Sequence, residues 1–331
     1  MPFVDEAFEG VPVLVTGGYG FIGSNLVRRL VRLGSQVTVV DALVPNTGAN
    51  RFNLEDLEGR ITIHLINMAD EAAIQEPLRG RALVFNLAGQ VSHVYSMCDP
   101  YADLMMNCHA QLGLLEACRK HAPGAKIVFT ATRQQYGRPE YLPVDEHHPL
   151  RPIDINGIHK VAAEAYYLLY GRLYGLHVTS LRLTNTYGPG QLMLNGRHAF
   201  VPWLIRLAID GQQLQIFGDG QQIRDFTYVD DVVEALLAAA YRPESDGEVF
   251  NLGGERPYSI REFVDILLDV VGGGSYTCVP FPEDRRRIDI GSYYADFSKI
   301  KSVLDWQPKV PVAEGLRRTV EYYRLHRKHY W

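Results

Sequence analysis

The sequence predicts an α/β fold: a doubly wound parallel sheet with a smaller C-terminal α/β lobe. Three observations carry this expectation. Short apolar runs of strand type alternate with helical patterns through the first half, as parallel strands covered on both faces do. A glycine-rich turn, "VTGGYGFIGSN", joins the first such run to the first helical pattern. After about Tyr187 the texture changes to Gly-rich loop, helix and short strand.

Each element follows in order. "VPVLVTG" reads as a buried strand and "FIGSNLVRRLVRLG" as a helix stopped by Gly34. "QVTVVD" and "ITIHLIN" are the second and third strands. "ALVFNLAG" is the fourth, followed by a helix over "DPYADLMMNCHAQLGLLEACRKH". "AKIVFTAT" is the fifth strand, "GIHKVAAEAYYLLYGRLYG" a helix and "HVTSLRLTNTYG" the sixth strand. Beyond it, "GPGQLMLNGRH" reads as loop, "AFVPWLIRLAIDG" as helix and "QLQIFGDGQQIRDFTYV" as strand, turn and strand. "VDDVVEALLAAAYR" and "SIREFVDILLDVVGG" are helices, and the tail reads as helix, Pro-containing link, helix. The expected division is a first domain over 1–185, with 226–255 returning to it. A second lobe over 186–225 and 256–331 closes over the strand ends.

Composition bounds the function. The chain has 331 residues, 47% apolar and 21% charged, which suits an ordinary globular protein with ample core. A net charge of −5 gives no nucleic-acid footprint. Cys98, Cys108, Cys118 and Cys278 form no CxxC pair. They are read as reduced packing residues rather than metal ligands. "MPFVDEAFEG" carries acids and no long apolar run, unlike a signal peptide. No stretch approaches the roughly 18 apolar residues of a membrane span, so a cytoplasmic protein is expected.

Gly17, Gly20 and Gly23 make a GxxGxxG pattern between strand and helix. Glycines allow a tight turn there and let a pyrophosphate approach backbone N–H groups at the helix N-terminus, where Phe21 and Ile22 begin the first turn. Together with Asp41 after the second strand, the pattern is that of a dinucleotide-binding (Rossmann) sheet. Asp41 can accept hydrogen bonds from both adenosine ribose hydroxyls and would repel a 2′-phosphate, which favours NAD over NADP. The plainer alternative is that Asp41 merely caps a loop.

Further motifs share one pattern: "TGGYGFIGSN", "NLAGQ", "NCHAQLGLLEA", "YGRPEYLPVDEHHPLRP", "LRLTNTYGPG", "FGDGQQIRDFTYVDDVVEA", "FNLGG" and "YADFSKIKSVLDWQP". In these the chain resembles the extended short-chain dehydrogenases/reductases, in their nucleotide-sugar epimerase/dehydratase branch, over nearly its whole length. The resemblance implies a tightly held NAD and a nucleoside-diphosphate sugar in the cleft between lobes. It implies that Asn67 and Met68 border the adenine, that Ala88, Gly89 and Gln90 run beside the cofactor, and that Asn107 supports the strand ends. Asn67 stands where an aspartate is usual; its amide can still hydrogen-bond adenine.

In that family a Ser or Thr, a Tyr and a Lys work together. The tyrosine exchanges a proton with a sugar hydroxyl, and the lysine binds the nicotinamide ribose and lowers the tyrosine pKa. Thr132 and Lys160 match two of the positions; Asn156 occupies the tyrosine position. An amide cannot carry a proton to and from a substrate near neutral pH. Three readings stay open. Another residue transfers the proton, with His159, Tyr136, His93 and Tyr95 as candidates; the substrate or a water chain does so; or the protein binds without turnover. Asn-Gly is also simply a turn and cap signal.

"TATRQQYG" bears on the reaction. Relatives that eliminate water usually carry Asp-Glu directly after the Thr, and sugar-acid decarboxylases a Glu two residues after it. Arg133 and Gln134 stand at these positions, and neither can serve as a carboxylate base. This leaves epimerisation or simple oxidoreduction. Arg133 could instead face a charged sugar such as a uronate.

By resemblance, Asn185 contacts the sugar or diphosphate and Tyr187 lies near the nicotinamide. Ile216 and Phe217 lie by the base and Arg224 on the diphosphate, which the planar guanidinium suits. Of Arg285, Arg286 and Arg287, Arg286 is favoured as a second diphosphate ligand, with a register uncertain by one. Tyr166, Tyr167 and Tyr170, with the Leu-rich helix, suggest a homodimer face. The expectation is an NAD-dependent nucleoside-diphosphate-sugar epimerase acting at C4 through a transient ketone. The alternatives are a nucleotide-sugar dehydrogenase, reductase or dehydratase, and a catalytically silent NAD and nucleotide-sugar binder.

Overall fold

Seven parallel strands form the centre of the structure, a computed structural model that describes residues 5–45, 47–194 and 200–331. The first residues of "MPFVDEAFEG" and the end of "GPGQLMLNGRH" lie outside the described residues, so the readings made of those ends do too.

The strands are β1 (Pro12–Thr16), β2 (Gln36–Val40), β3 (Thr62–His64), β4 (Leu83–Asn86), β5 (Lys126–Thr132), β6 (His177–Leu183) and β7 (Val249–Asn251). Their order across the sheet is β7-β6-β5-β4-β1-β2-β3. The chain winds one way from β1 to β3 and the other way from β4 onward. The reversal opens a crevice beyond the C-terminal ends of β1 and β4, where doubly wound sheets bind ligands. The register places Thr16 opposite Asn86, and the Thr16 hydroxyl donates to Asn86 Oδ1 at 2.6 Å. The Gly17 turn and the "NLAGQ" loop therefore leave the sheet side by side.

The principal helices are α1 (Phe21–Arg32), α2 (Ala110–His121), α3 (Ile155–Tyr174), α4 (Phe200–Ile209), α5 (Val229–Tyr241), α6 (Ile260–Val271) and α7 (Val312–His326). α1 and α5 bury their apolar faces on one side of the sheet with Leu26, Leu30, Leu236 and Leu237. α2 and α3 cover the other side with Leu114, Leu115, Ala163 and Tyr167. α4, α6 and α7 build a separate core around Tyr187, Phe226, Phe263 and Tyr323.

Four stretches differ from the sequence reading. "ITIHLIN" forms only three residues of strand, at the sheet edge where one neighbour is missing. The single helix expected over 99–121 is interrupted by a π-helical turn, Met105–His109, between Pro100–Leu104 and α2. Such turns mark functional sites often, and this one carries Asn107, whose buried Nδ2 donates to the Gln90 carbonyl at 3.0 Å. The strands of "QLQIFGDGQQIRDFTYV" do not pair with each other. Leu214–Phe217 pairs in parallel with Tyr276–Val279, Ile223–Arg224 runs antiparallel to Tyr258–Ser259, and Phe226–Tyr228 lies parallel to Asn185–Tyr187. The tail helix Ser298–Leu304 packs Ile300 and Leu304, with Trp306, into the first core although its sequence position falls in the second lobe.

Among the described residues no helix is long and apolar enough to cross a membrane. The four cysteines are unpaired, Cys108 and Cys118 buried, Cys98 and Cys278 exposed.

Candidate active site

A cleft of about 1070 Å³ runs along the C-terminal ends of β1, β4, β5 and β6 and continues into the second lobe. At its first end Gly17, Gly20, Phe21 and Ile22 form the floor. Close approach is built in: a Cβ on Gly17 would meet the Ala88 nitrogen at 2.9 Å, and one on Gly23 would overlap the Gly17 carbonyl oxygen. α1 starts at Gly20 with no side-chain cap and no acid in its first turn. Its leading N–H groups and the positive end of its dipole are thus left for an anion.

Asp41 sits at the end of β2, buried, and accepts N–H groups of Tyr19 at 3.0 Å and Leu43 at 2.8 Å. Burial raises its pKa, against those two bonds. Its oxygens keep further lone pairs toward the cleft that it lines. Asn67 and Met68 line the same end. The Asn67 Oδ1 caps Ala69 N–H at 2.9 Å, which leaves the Nδ2 donor for a base. These residues fit an NAD dinucleotide: a cradle that a Cβ would fill, bare helix N–H groups and an acceptor for ribose hydroxyls.

The centre of the cleft is lined by Ala88, Gly89, Gln90, Thr132, Asn156 and Lys160. Lys160 reaches past the Phe129 ring and donates to the Thr130 carbonyl at 3.2 Å. Burial pushes its pKa down to about 8, with Asp103 pulling the other way. A Cβ on Gly89 would come within 3.2 Å of the Lys160 Nζ and 2.7 Å of Asn107 Oδ1, a buried acceptor with no partner of its own. Thr132, at the end of β5, accepts the Gln134 N–H at 3.3 Å, so its own hydroxyl proton is free to point at a ligand.

Asn156 is buried and fully engaged as a donor. Its Nδ2 donates to the Gln90 carbonyl at 2.9 Å and to Asp103 Oδ2 at 3.1 Å. The other Asp103 oxygen meets His159 Nδ1 at 2.7 Å. Asp103 had no place in the sequence reading. Its only sequence signal is an acid inside an apolar helical stretch.

Five sequence candidates do not line the cleft: Tyr95, His159, Tyr136, Tyr187 and Arg286. His159 turns to Asp103 and does not line the cleft. Tyr136 is fully buried, donating to Asn251 Oδ1 at 2.6 Å and accepting from Arg182 Nη1 at 2.7 Å. Burial pushes its pKa up to about 12, opposite to what a proton carrier needs. Tyr187 points into the second-lobe core and donates to the Val312 carbonyl at 3.3 Å. Arg286 is exposed on its helical turn, whereas Arg285 lines the cleft with its guanidinium 5.3 Å from the Phe217 ring. Of the three arginines of that run, Arg285 is the one that lines the cleft.

At the second end, Arg133 Nη2 donates to Asn185 Oδ1 at 2.9 Å while its guanidinium lies 5.5 Å from the Tyr293 ring. Arg224 is buried, donates to the Ile223 and Gly291 carbonyls and pairs with Asp289 at 3.1 Å. Burial, then the nearby Arg133 charge, push its pKa down to about 10. Ile216 and Phe217 line the wall beyond.

Residues 13–253 match the NAD dependent epimerase/dehydratase family. The chain is 33% identical to a putative UDP-glucose 4-epimerase of Methanocaldococcus jannaschii, over 94% of this chain and 97% of that one. The fold superposes with a TM-score of 0.85 on a UDP-glucose 4-epimerase of Thermotoga maritima solved with UDP-glucose, 34% identical, covering 95% of this chain and 99% of that one. It also superposes, at 0.86, on a dTDP-glucose 4,6-dehydratase double mutant of Streptomyces venezuelae solved with NAD, 30% identical, covering 96% and 98%. The chain belongs to the NAD-dependent epimerase/dehydratase family of nucleotide-sugar enzymes, and its cofactor is NAD.

Proposed function

We propose that this protein is a nucleoside-diphosphate-sugar 4-epimerase. One observation carries the choice within the family: no carboxylate stands at the end of β5. Arg133 is tied to Asn185, and Gln134 donates to Asp154 at 2.7 Å. Elimination of water or decarboxylation needs an acid or base beside the ring; interconversion of a C4 alcohol and ketone does not need those two positions. The bound nicotinamide supplies a reversible hydride acceptor. Lys160 holds the ribose beside Gly89, and Thr132 directs its hydroxyl at the sugar oxygen. Arg224 and Arg285 bind the diphosphate, with Arg133 and Asn185 at the sugar. Ile216 and Phe217 cover the base.

The test is a panel of UDP-, GDP-, CDP- and dTDP-sugars followed by NMR. Conversion between C4 epimers with the sugar's own hydrogen returned is expected. Deuterium taken up at carbon from D₂O would replace this reading with one through enolisation or elimination. The binding-only reading rests on Asn156 and ends with turnover of any member of the panel.

A homodimer is also proposed, on the surface formed by the lysine helix and the helical stretch before α2, though not through Tyr167 and Tyr170. Tyr167 and Tyr170 are buried inside the chain, so they are unavailable to a partner. Tyr95, Met97, Tyr101 and Met105 are exposed along the helical segments that pack beside α3, and Ile158 is exposed on α3 itself. An apolar patch of this kind is what a second copy would cover.

A further inference from the structure

We propose that His93, oriented by Asp154, is the proton carrier of this site. The proposal rests on the epimerase reading and supplies the group that reading lacks. Each conversion of alcohol to ketone releases one hydroxyl proton, and each return takes one back. Asn156 can do neither, and both of its N–H donors are held by Gln90 and Asp103.

The geometry removes the other candidates. Tyr136 and His159 are turned away into Asn251 and Asp103, and Tyr95 is not among the residues that line the cleft. His93 is. It follows the "NLAGQ" loop at the start of the helix His93–Cys98, and it shares the cleft with Thr132, Asn156 and Lys160.

Behind it stands a built partner. The Asp154 side chain is fully buried and lies 3.4 Å from His93 Nδ1 through Oδ2. Its Oδ1 accepts the Gly157 N–H at 2.7 Å, capping α3, and its Oδ2 accepts from Gln134 Nε2 at 2.7 Å. Burial alone would raise this carboxyl's pKa, but His93, Gly157 and Gln134 together hold it below the usual range. His93 Nδ1 is buried and forms no hydrogen bond to anything else. An ionised carboxylate facing Nδ1 favours the tautomer with its proton there and leaves the Nε2 lone pair as the base. The 3.4 Å separation is longer than a formed hydrogen bond, and catalytic contacts of this kind tighten when the ligand binds. Because Asp154 also caps the lysine helix, one carboxylate sets His93 and Lys160 in a common frame.

The step balances. The sugar O–H bond breaks and its proton passes to Nε2, the carbon's hydride leaves to the oxidised nicotinamide, and a C=O bond forms. The reverse step returns the proton from the imidazolium and the hydride to the opposite face.

Two measurements test this. In ¹⁵N imidazole spectra, His93 is expected as the neutral Nδ1–H tautomer, and Asp154→Asn is expected to abolish that preference. Asparagine caps as well as aspartate, so the helix start is kept. The opposite tautomer, or no change in Asp154→Asn, overturns the proposal without any need for turnover. In the sugar assay, His93→Gln is expected to lower kcat by about 10²–10⁴-fold, with KM and NAD occupancy little changed. Added imidazole is expected to restore part of the rate in His93→Ala. Full activity in His93→Gln overturns the carrier and leaves the epimerase reading standing. A wild-type protein that converts no nucleotide sugar overturns that reading and the step with it.

Discussion

At the scale of the residue, Lys160 shows what it costs to bury a charge beside a cleft. Its amine is buried with a single carbonyl partner, and burial takes its pKa from 10.5 down to about 8. The unfolded chain therefore binds this proton more tightly than the folded one. The sign follows: the charged lysine destabilises the fold at and below about pH 8, and this cost fades as pH rises toward its unfolded value. Lys160→Met keeps length and loses the charge. It is expected to stabilise the protein without cofactor by roughly 1–3 kcal/mol at pH 7, while NAD affinity and turnover fall. The gain should shrink between about pH 8 and 10. Chemical denaturation across that range checks this; a destabilised variant at pH 7 would mean that the amine is better solvated than its burial implies.

Asn156 belongs at the same scale. Its residue type stands out in the sequence as a departure from the pattern that the resemblance implies. Its role was not, because Gln90, Asp103 and Asn156 lie far apart in sequence and meet only in the fold. Sequence spacing sees what shares a helix or strand. His159 looked apt because it adjoins Lys160 in sequence, yet adjacent helical residues point about 100° apart, and this one faces Asp103.

At the scale of the element, local pattern carried most of the fold. The strands β1, β2, β4, β5 and β6 follow from apolar runs buried on both faces, and α1 from its glycine turn and Gly34 stop. What pattern could not supply was partnership. The stretch "QLQIFGDGQQIRDFTYV" reads as strand, turn and strand that could pair with each other, but the partners lie elsewhere, for Leu214 as far along as Tyr276. The π-helical turn has no local sequence signal either; it carries Asn107, whose Nδ2 reaches the distant Gln90 carbonyl. Arg182 and Glu164 tie β6 to α3 by a buried, multiply bonded ion pair that also holds the Tyr136 hydroxyl. Breaking one side strands the other charge in a dry place. Arg182→Met is expected to cost about 3–5 kcal/mol. The double change with Glu164→Leu should recover much of this, measured by the same unfolding series. A double variant no more stable than Arg182→Met would show that the loss lies in the Tyr136 contact instead.

At the scale of the whole molecule, the two lobes share one cleft, and its two ends are chemically distinct. Bare helix N–H groups and Asp41 suit a dinucleotide, and arginines with an apolar wall suit a second nucleotide. All of the residues named here come from one chain. A second copy would instead cover the apolar surface beside α3, where Tyr101 is 78% exposed and Met105 48%. The charge of the chain is modest at −5, so long-range repulsion offers little resistance to pairing there. Tyr101→Glu with Met105→Glu places two like charges on each side of a two-fold contact, four in all. Light scattering on eluting protein should then show the mass fall from two chains to one. Because neither side chain lines the cleft, NAD affinity in the monomer is expected to stay within about threefold of wild type, on the order of 0.6 kcal/mol. A wild type that is monomeric at tens of micromolar, or a double variant that remains dimeric, would place the contact elsewhere or remove it.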